Sequence, residues 1–253
     1  MNSPQNMLLE SYLKKLKMPQ AAKVYLAMAR EAENNNLSYE QYLLGVLEQE
    51  ISQRENNRIH RGIRQASFPV IKTLDSFDFK AIPSLNKQKV LKLAGCEYIK
   101  KLENIILVGN SGVGKTHIAT ALGYEACRKG LKVKFFTAAG LINELLAAQQ
   151  DYRLNRLEKQ YSAFHLVIID ELGYVPFSKT GAELLFQFCS SRNERGSIII
   201  TTNLEFPKWT EVLLDDQMTA ALLDRLTHKA HILNINGESY RFKQALTQQT
   251  NMD

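Results

Sequence analysis

Eight consecutive residues near the middle of the chain have the spacing of a phosphate-binding loop. They are Gly109-Asn110-Ser111-Gly112-Val113-Gly114-Lys115-Thr116, and they match the pattern G-x-x-x-x-G-K-[ST]. Glycines let the backbone curl around phosphate oxygens and present amide N–H groups, helped by the positive end of the helix that follows. In such a loop the lysine neutralises the β and γ oxygens and the threonine ligates Mg²⁺. The sequence therefore predicts nucleotide binding here.

A pair of acidic residues and an asparagine follow two later apolar runs. The run LVII at 166–169 ends in Asp170-Glu171, and IIITT at 198–202 ends in Asn203. We expect Asp170 to hold the Mg²⁺ shell and Glu171 to polarise a water for attack on a γ-phosphate. The Asn203 amide is placed to bridge that water and the phosphate, although an asparagine after a strand is commonly a turn former. The set indicates hydrolysis of ATP.

These residues require a sheet that brings the ends of several strands together. Five apolar runs are separated by helical stretches: IILV at 105–108, VKFF at 133–136, LVII at 166–169, IIIT at 198–201 and HILNI at 231–235. Alternating strands and helices predict an α/β fold, with a five-stranded parallel sheet covered by helices on both faces. Ligands of such sheets collect at the carboxyl ends of the strands.

The residues before the sheet have a different texture. Residues 1–66 have helical periodicity and are expected to form a small all-helical domain, whose last helix runs from about Ser38 to Ala66. Residues 67–101 are expected to form a linker and a lead-in helix, and residues 102–253 the nucleotide-binding core.

The positive charge of the chain is concentrated in one stretch. The net charge is −1 over residues 1–51, +7 over 52–101 and 0 over 102–253. Arg54, Arg58 and Arg61 follow one another at helical spacing, so they lie on one side of the long helix. This asymmetry favours a phosphate backbone as partner, and a solvated helix face is the alternative.

Composition narrows the class of protein. Hydrophobic residues make up 45% and charged residues 23% of the chain, which is typical of folded, water-soluble proteins. No apolar run has the length of a membrane helix, and charges interrupt the start too early for a signal peptide, so we expect a cytoplasmic protein without a membrane partner. Cys96, Cys127 and Cys189 are too scattered for a disulfide framework or a zinc site.

The motif blocks together resemble a known family. GNSGVGKTHIATALG, LVIIDELGYVPFS, RGSIIITTNLEFPKW, TAALLDRLTHKAHIL and NGESYRF are similar to those of the IstB/DnaC-like branch of the AAA+ ATPases, over roughly residues 68–243. The preceding helices and the segment FPVIKTLDSFDF are similar to those of the ATPase helpers that insertion sequences encode for their transposases. The resemblance implies residue roles: Walker A (Lys115, Thr116), Walker B (Asp170, Glu171), sensor 1 (Asn203), an arginine finger (Arg225) and sensor 2 (Arg241).

The resemblance also implies a function. It is that of an ATPase that assembles with ATP and Mg²⁺ on duplex DNA with little sequence preference and selects or remodels the target DNA. Such a protein recruits and stimulates a transposase, and it hydrolyses ATP to ADP and phosphate. An arginine finger acts in a neighbouring subunit's site, so a homo-oligomer is expected. The alternatives are a replicative helicase loader of the DnaC type and an ATP-gated scaffold that seldom hydrolyses. Arg192 and Arg195 are alternative candidates for the finger. Arg225 itself could instead be a surface arginine that caps a helix end.

Two further expectations concern what surrounds the nucleotide. Only 18 residues follow Ile235, so a full AAA+ lid is not expected, and the linker around Phe77 to Phe79 is the candidate cover for the adenine ring. Packing of these aromatic rings on the sheet is the alternative. Between the second and third strands, a helix is expected to carry three basic residues toward DNA phosphates, or toward solvent: Arg153, Arg156 and Lys159.

Overall fold

A computed structural model describes residues 3–240. Two compact units make up the chain, Met1–Arg61 and Gly62–Asp253, so that the boundary falls inside the long third helix. Among the described residues, no helix combines the length and the apolar character needed to cross a membrane.

The first unit is helical. It contains α1 (Pro4–Lys15), α2 (Pro19–Asn34) and most of α3 (Tyr39–Ala66), which confirms the predicted long helix. Ser38 and Gln41 cap the start of α3 reciprocally, each accepting a hydrogen bond from the other's backbone N–H, at 3.2 and 2.9 Å. Buried Ala21, Tyr25 and Val46 form a small core between α2 and α3.

The second unit holds the predicted sheet. Its elements are α4 (Lys87–Ala94), α5 (Glu97–Lys100), β1 (Asn104–Gly109), α6 (Lys115–Arg128), β2 (Val133–Thr137), α7 (Ala138–Gln150), α8 (Leu154–Ser162), β3 (Leu166–Leu172), α9 (Lys179–Arg192), β4 (Ser197–Thr202), α10 (Thr210–Leu213), α11 (Asp216–Thr227) and β5 (Ala230–Ile235), with 3₁₀ turns at Phe79–Ala81 and Phe206–Trp209. The lead-in helix expected within residues 67–101 is two helices, α4 and α5, because Cys96 adopts a left-handed conformation between them.

All five strands are parallel, in the order β2-β3-β4-β1-β5. The central strand β1 pairs Ile105 with Ile199 of β4 on one side and with His231 of β5 on the other. Helices cover both faces, so apolar clusters lie on each side of the sheet, one around Ile118 of α6 and one around Leu141 of α7. The sheet therefore aligns the ends of β1, β3 and β4 at one edge.

The three cysteines are buried and free. Burial raises the pKa of each thiol, and the pKa reaches about 12 for Cys127 and Cys189. Their side chains belong to the packing of the second unit.

Candidate nucleotide-binding site

The loop between β1 and α6 lines a cleft of about 790 Å³ at the carboxyl edge of the sheet. Residues Ser111 to His117 form one wall of this cleft, and Asp170, Glu171 and Thr201 come from the ends of β3 and β4. Gly114 has φ +91°, and a Cβ there would lie 2.7 Å from the Phe77 ring. Glycine is therefore needed at Gly114 for conformation and for space.

The Lys115 side chain is held against the loop that precedes it. It is only 6% exposed, and its Nζ donates hydrogen bonds of 2.7 Å to the carbonyl oxygens of Gly109 and Asn110. Lys115 begins α6, so its ammonium lies at the positive end of the helix dipole. Both features concentrate positive charge where the loop can cradle phosphate.

Asp170 is the buried acidic group of the cleft. Its carboxylate accepts hydrogen bonds from Thr116 Oγ1, at 2.9 and 3.0 Å, and from Thr201 Oγ1, at 2.5 Å. Burial raises the pKa of Asp170, although the two threonine hydroxyls and the nearby Lys115 charge oppose that shift. Thr201, which is absent from the sequence-based assignments, therefore orients the acid that the motif analysis selected.

Glu171 is turned out of the strand by a bulge. The β3–β4 register shifts between Ile169 and Leu172, and Glu171 has φ +62°, a conformation that non-glycine residues seldom adopt. Its backbone N–H donates to Thr201 Oγ1 at 2.9 Å, which holds the bulge, and its side chain is exposed in the cleft lining. Bulges re-aim side chains next to active sites, and strained residues cluster there.

The residues around Asp170 fit a magnesium ion. Thr116 and Asp170 present a hydroxyl and a carboxylate within 3.0 Å of each other, and both are hard oxygen ligands. Mg²⁺ is usually held by one or two protein oxygens together with substrate phosphates and waters. Two protein ligands beside a phosphate-binding loop satisfy that requirement.

The linker forms the opposite wall, and it separates the two phenylalanines that the sequence analysis grouped. Phe77 lines the cleft against Gly114. Phe79 instead packs on the core, and the Lys87 ammonium lies 5.4 Å from its ring centroid. The two rings meet edge to face at 4.8 Å. Phe77 is thus the ring available to a bound base, and Phe79 supports it.

His117 holds the linker in place, a role that the sequence did not indicate. Its Nε2 lies 2.8 Å from the Thr73 carbonyl oxygen and 3.3 Å from Ser76 Oγ, and its ring meets Phe77 edge to face at 5.1 Å. Burial lowers the pKa of His117, the hydrogen bond to Thr73 opposes this, and nearby Lys72 adds to it. The first turn of α6 therefore fixes both the loop lysine and the linker wall.

Asn203 and Arg225, which also have predicted nucleotide roles, are not among the residues that line the cleft. Asn203 is exposed one residue beyond β4 and approaches Gly173. Arg225, on α11, is half-buried, with its guanidinium 5.2 Å from the Phe186 ring centroid and Nη1 donating to the Ala221 carbonyl at 2.8 Å. Arg241 lies outside the described residues.

Of the two competing arginines, Arg192 has a structural role. It is 4% exposed and donates to the carbonyl oxygens of Tyr161 and Phe164, at 2.9 Å each. Burial lowers the pKa of Arg192 to about 10. A side chain enclosed in its own chain is not available to a neighbour's phosphate, whereas Arg195 is exposed.

The basic residues assigned to DNA differ in how free they are. Arg54 Nε donates to buried Glu50 at 2.8 Å, and Nη2 donates to the Lys17 carbonyl. Glu50 in turn accepts from the backbone N–H groups of Gln20 and Ala21, so it caps α2, whose own cap position, Met18, offers no such side chain. Arg54 therefore supports the helical unit.

The other basic candidates are exposed, as the Arg54 side chain also is in spite of its contacts. Arg58 and Arg61 lie on the later part of α3. Arg153 precedes α8 rather than lying inside it, because the helix begins at Leu154, and it pairs with Asp151. Arg156 and Lys159 lie on α8.

Known proteins are similar to this chain in sequence and in fold. The chain is 36% identical over 241 residues to a protein of Geobacillus stearothermophilus described as the ATP-binding protein of insertion sequence IS5376, covering 95% of this chain and 96% of that one. It is 39% identical over 236 residues to the corresponding protein of IS21 from Pseudomonas aeruginosa, covering 93% and 89%.

Among solved structures, AMPPCP-bound DnaA from Aquifex aeolicus has a similar fold, with a TM-score of 0.57 and 19% identity over 73% of this chain and 56% of that one. At this level of identity the likeness is one of fold. The family model for IstB-like ATP-binding proteins matches residues 11–248, nearly the whole chain. With its phosphate-binding loop and its acidic strand end in one cleft, the chain belongs to the IstB-like ATP-binding protein family.

Proposed function

We propose that this protein hydrolyses ATP to ADP and phosphate in the cleft between the phosphate-binding loop and the end of β3. One observation carries the proposal: Lys115, the Thr116–Asp170 pair and the outward-turned Glu171 line the same cleft. A cation, a metal-binding pair and a free carboxylate are the groups that attack of water on a phosphoanhydride needs.

Each group has one role in the proposed reaction. Lys115 neutralises the β and γ oxygens. Thr116 and Asp170 would hold Mg²⁺, which would stabilise the charge that develops on the phosphates. Glu171, exposed on its bulge, accepts a proton from the attacking water. Asn203, beyond the neighbouring strand, orients that water. Phe77 covers the adenine ring, and Arg241 is retained as the sensor 2 candidate.

The arginine finger is proposed to act between subunits. Arg225 does not line the cleft of its own chain, as the described residues define it, and its guanidinium is held over Phe186 near the surface. A finger supplies charge in a site to which it does not belong, so ATP would favour a homo-oligomer.

The partner that we propose is duplex DNA, to which the protein would recruit a transposase. The relatives' descriptions refer to insertion sequences, which supports a role in DNA transposition, a form of recombination. We propose residues 1–66 as the DNA- or partner-binding domain, 67–101 as linker and 102–253 as the ATPase core. The exposed basic residues support phosphate contacts: Arg54, Arg58, Arg61, Arg153, Arg156 and Lys159.

DNA binding is tested by fluorescence anisotropy on duplex and single-stranded DNA, with Mg²⁺ and either a nonhydrolysable ATP analogue or ADP, across a salt series. We expect cooperative duplex binding that depends on the ATP analogue. Reversal of two exposed charges, R58E/R61E or R153E/R156E, should reduce the magnitude of the salt slope by about 2, since each lost phosphate contact removes roughly 0.9.

The matched control is K23E, a reversal of an exposed lysine on α2. An unchanged slope in a double variant removes that pair from the DNA surface. Preference for single strands would favour the helicase-loader alternative. A transposase gene beside this one would support the transposition role, and its absence would weaken it.

A further inference from the structure

Tyr174 stands at the mouth of the cleft and has no role in the proposal above. It follows Gly173, whose φ of +103° turns the chain back after β3, and a Cβ on Gly173 would meet the Leu204 side chain at 2.6 Å. Tyr174 lines the cleft, is 46% exposed, and its phenol OH donates to Ser111 Oγ at 3.3 Å. A short turn thus places a neutral hydrogen-bond donor directly on the phosphate-binding loop.

The contact lies at the end of the loop where the terminal phosphate belongs. Phe77 and the linker pack against Gly114, at the far end of the loop. Lys115 Nζ contacts the carbonyls of Gly109 and Asn110, the residues just before Ser111. Glu171, three residues before Tyr174, turns into the same cleft. The phenol therefore lies at the same end of the cleft as Lys115 and Glu171, the groups proposed to act on the γ-phosphate.

The present partner of the phenol is a weak one. A distance of 3.3 Å is long for two hydroxyl oxygens, which usually lie 2.5–3.0 Å apart. A phosphate oxygen is charged, and hydrogen bonds to charged acceptors are shorter and about twice as strong as neutral ones. Exchange of Ser111 for a phosphate oxygen would therefore be favourable, and ATP and ADP differ there by one phosphoryl group.

We propose that Tyr174 is a specificity-determining residue that binds the γ-phosphate through its phenol OH and so distinguishes ATP from ADP. The inference rests on the proposed placement of the γ-phosphate between Lys115 and Glu171. It assigns Tyr174 to substrate recognition, and Ser111 to holding the phenol when no γ-phosphate is present.

The test measures the affinities of the full chain for AMPPCP and for ADP, with Mg²⁺, by displacement of a fluorescent ADP derivative. Y174F keeps the ring and removes the hydroxyl. We expect it to weaken AMPPCP binding about tenfold, the loss typical of one hydrogen bond to a charged group, and to leave ADP binding within about twofold. Equal weakening of both nucleotides, or of neither, overturns the proposal.

Two further variants separate the explanations. If Tyr174 acts only by shaping the loop through Ser111, Y174F has no further effect in an S111A background; under the proposal, the tenfold loss of AMPPCP affinity persists there. K115A tests the site itself. If K115A loses affinity for both nucleotides while Y174F keeps the parental affinities, the role of Tyr174 alone is overturned. If K115A keeps the parental affinities, the proposed phosphate site is overturned.

Discussion

The two walls of the cleft are built in different ways. The phosphate wall contains buried charged groups that neutral partners hold: loop carbonyls hold Lys115, and two threonine hydroxyls hold Asp170. The linker wall presents the half-buried Phe77 ring and several apolar side chains beside three polar ones, Lys72, Ser76 and Asp78. His117 and the packing of Phe79 on the core hold this wall in place. The first wall therefore offers buried charge, and the second offers an aromatic surface. Changes in the two walls should therefore affect different quantities.

The largest effect is expected from Glu171 on the phosphate wall. E171Q keeps the size of the side chain and removes its capacity to accept a proton. We expect ATP turnover to fall by about 10²–10⁴-fold, the usual contribution of a general base, with ATP affinity retained. Phosphate release measures turnover, and E183Q, which changes an exposed glutamate on α9, is the control. Parental turnover in E171Q would contradict the general-base assignment.

The second-largest effect is expected from a change at Lys115, which should lower the affinity for nucleotide. K115A removes the buried ammonium, and we expect ATP to bind about 100-fold more weakly, as for the loss of two charged hydrogen bonds. Titration of a fluorescent nucleotide measures the change, with the exposed Lys101→Ala as control. Wild-type affinity in K115A would show that the loop does not hold the phosphates.

On the linker wall, F77A and F79A form a matched pair of variants. F77A should weaken ATP binding by about tenfold, because the base loses the apolar surface that would cover it. F79A should change affinity by less than about threefold and lower the Tm, because that ring packs on the core. If F79A proves the more damaging to affinity, the assignment of the two rings is reversed.

The smallest effect concerns Asp170 and stability. The folded-state pKa of Asp170 is raised by burial, so its ionised form destabilises the fold, and that cost appears as pH rises through the raised pKa. Without nucleotide or Mg²⁺, D170N should have a Tm a few degrees above the parent at pH 8. This difference in Tm should shrink as the pH falls toward the ordinary pKa of an aspartate. Scanning calorimetry across pH measures it, and a constant difference would refute this account.

Sequence patterns predicted the strands and the phosphate wall well, for a physical reason. Runs such as LVII at 166–169 are continuous because both faces of a parallel sheet are buried, so they mark strands without reference to the rest of the chain. The loop before α6 and Asp170 after the LVII run then follow from local order along the chain and from the common edge of the strands.

The linker wall and the basic residues depend on contacts between distant segments, which local patterns do not contain. Nothing in the spacing of Phe77 and Phe79 shows that one faces the cleft and the other the core. Arg54 has the same helical spacing as Arg58, yet Arg54 pairs with Glu50, the side chain that caps α2. The absence of a capping side chain at Met18 was the one local hint that α2 needs a cap from elsewhere.

The buried thiols have a practical consequence for spectroscopy. The thiolate is the form of cysteine that attacks thiol-reactive dyes, and burial together with raised pKa values keeps Cys96, Cys127 and Cys189 protonated and enclosed. A fluorophore attached through R58C or R156C should therefore label a single position without removal of the native cysteines. Energy transfer from labelled DNA to each position would then report which helix approaches the duplex.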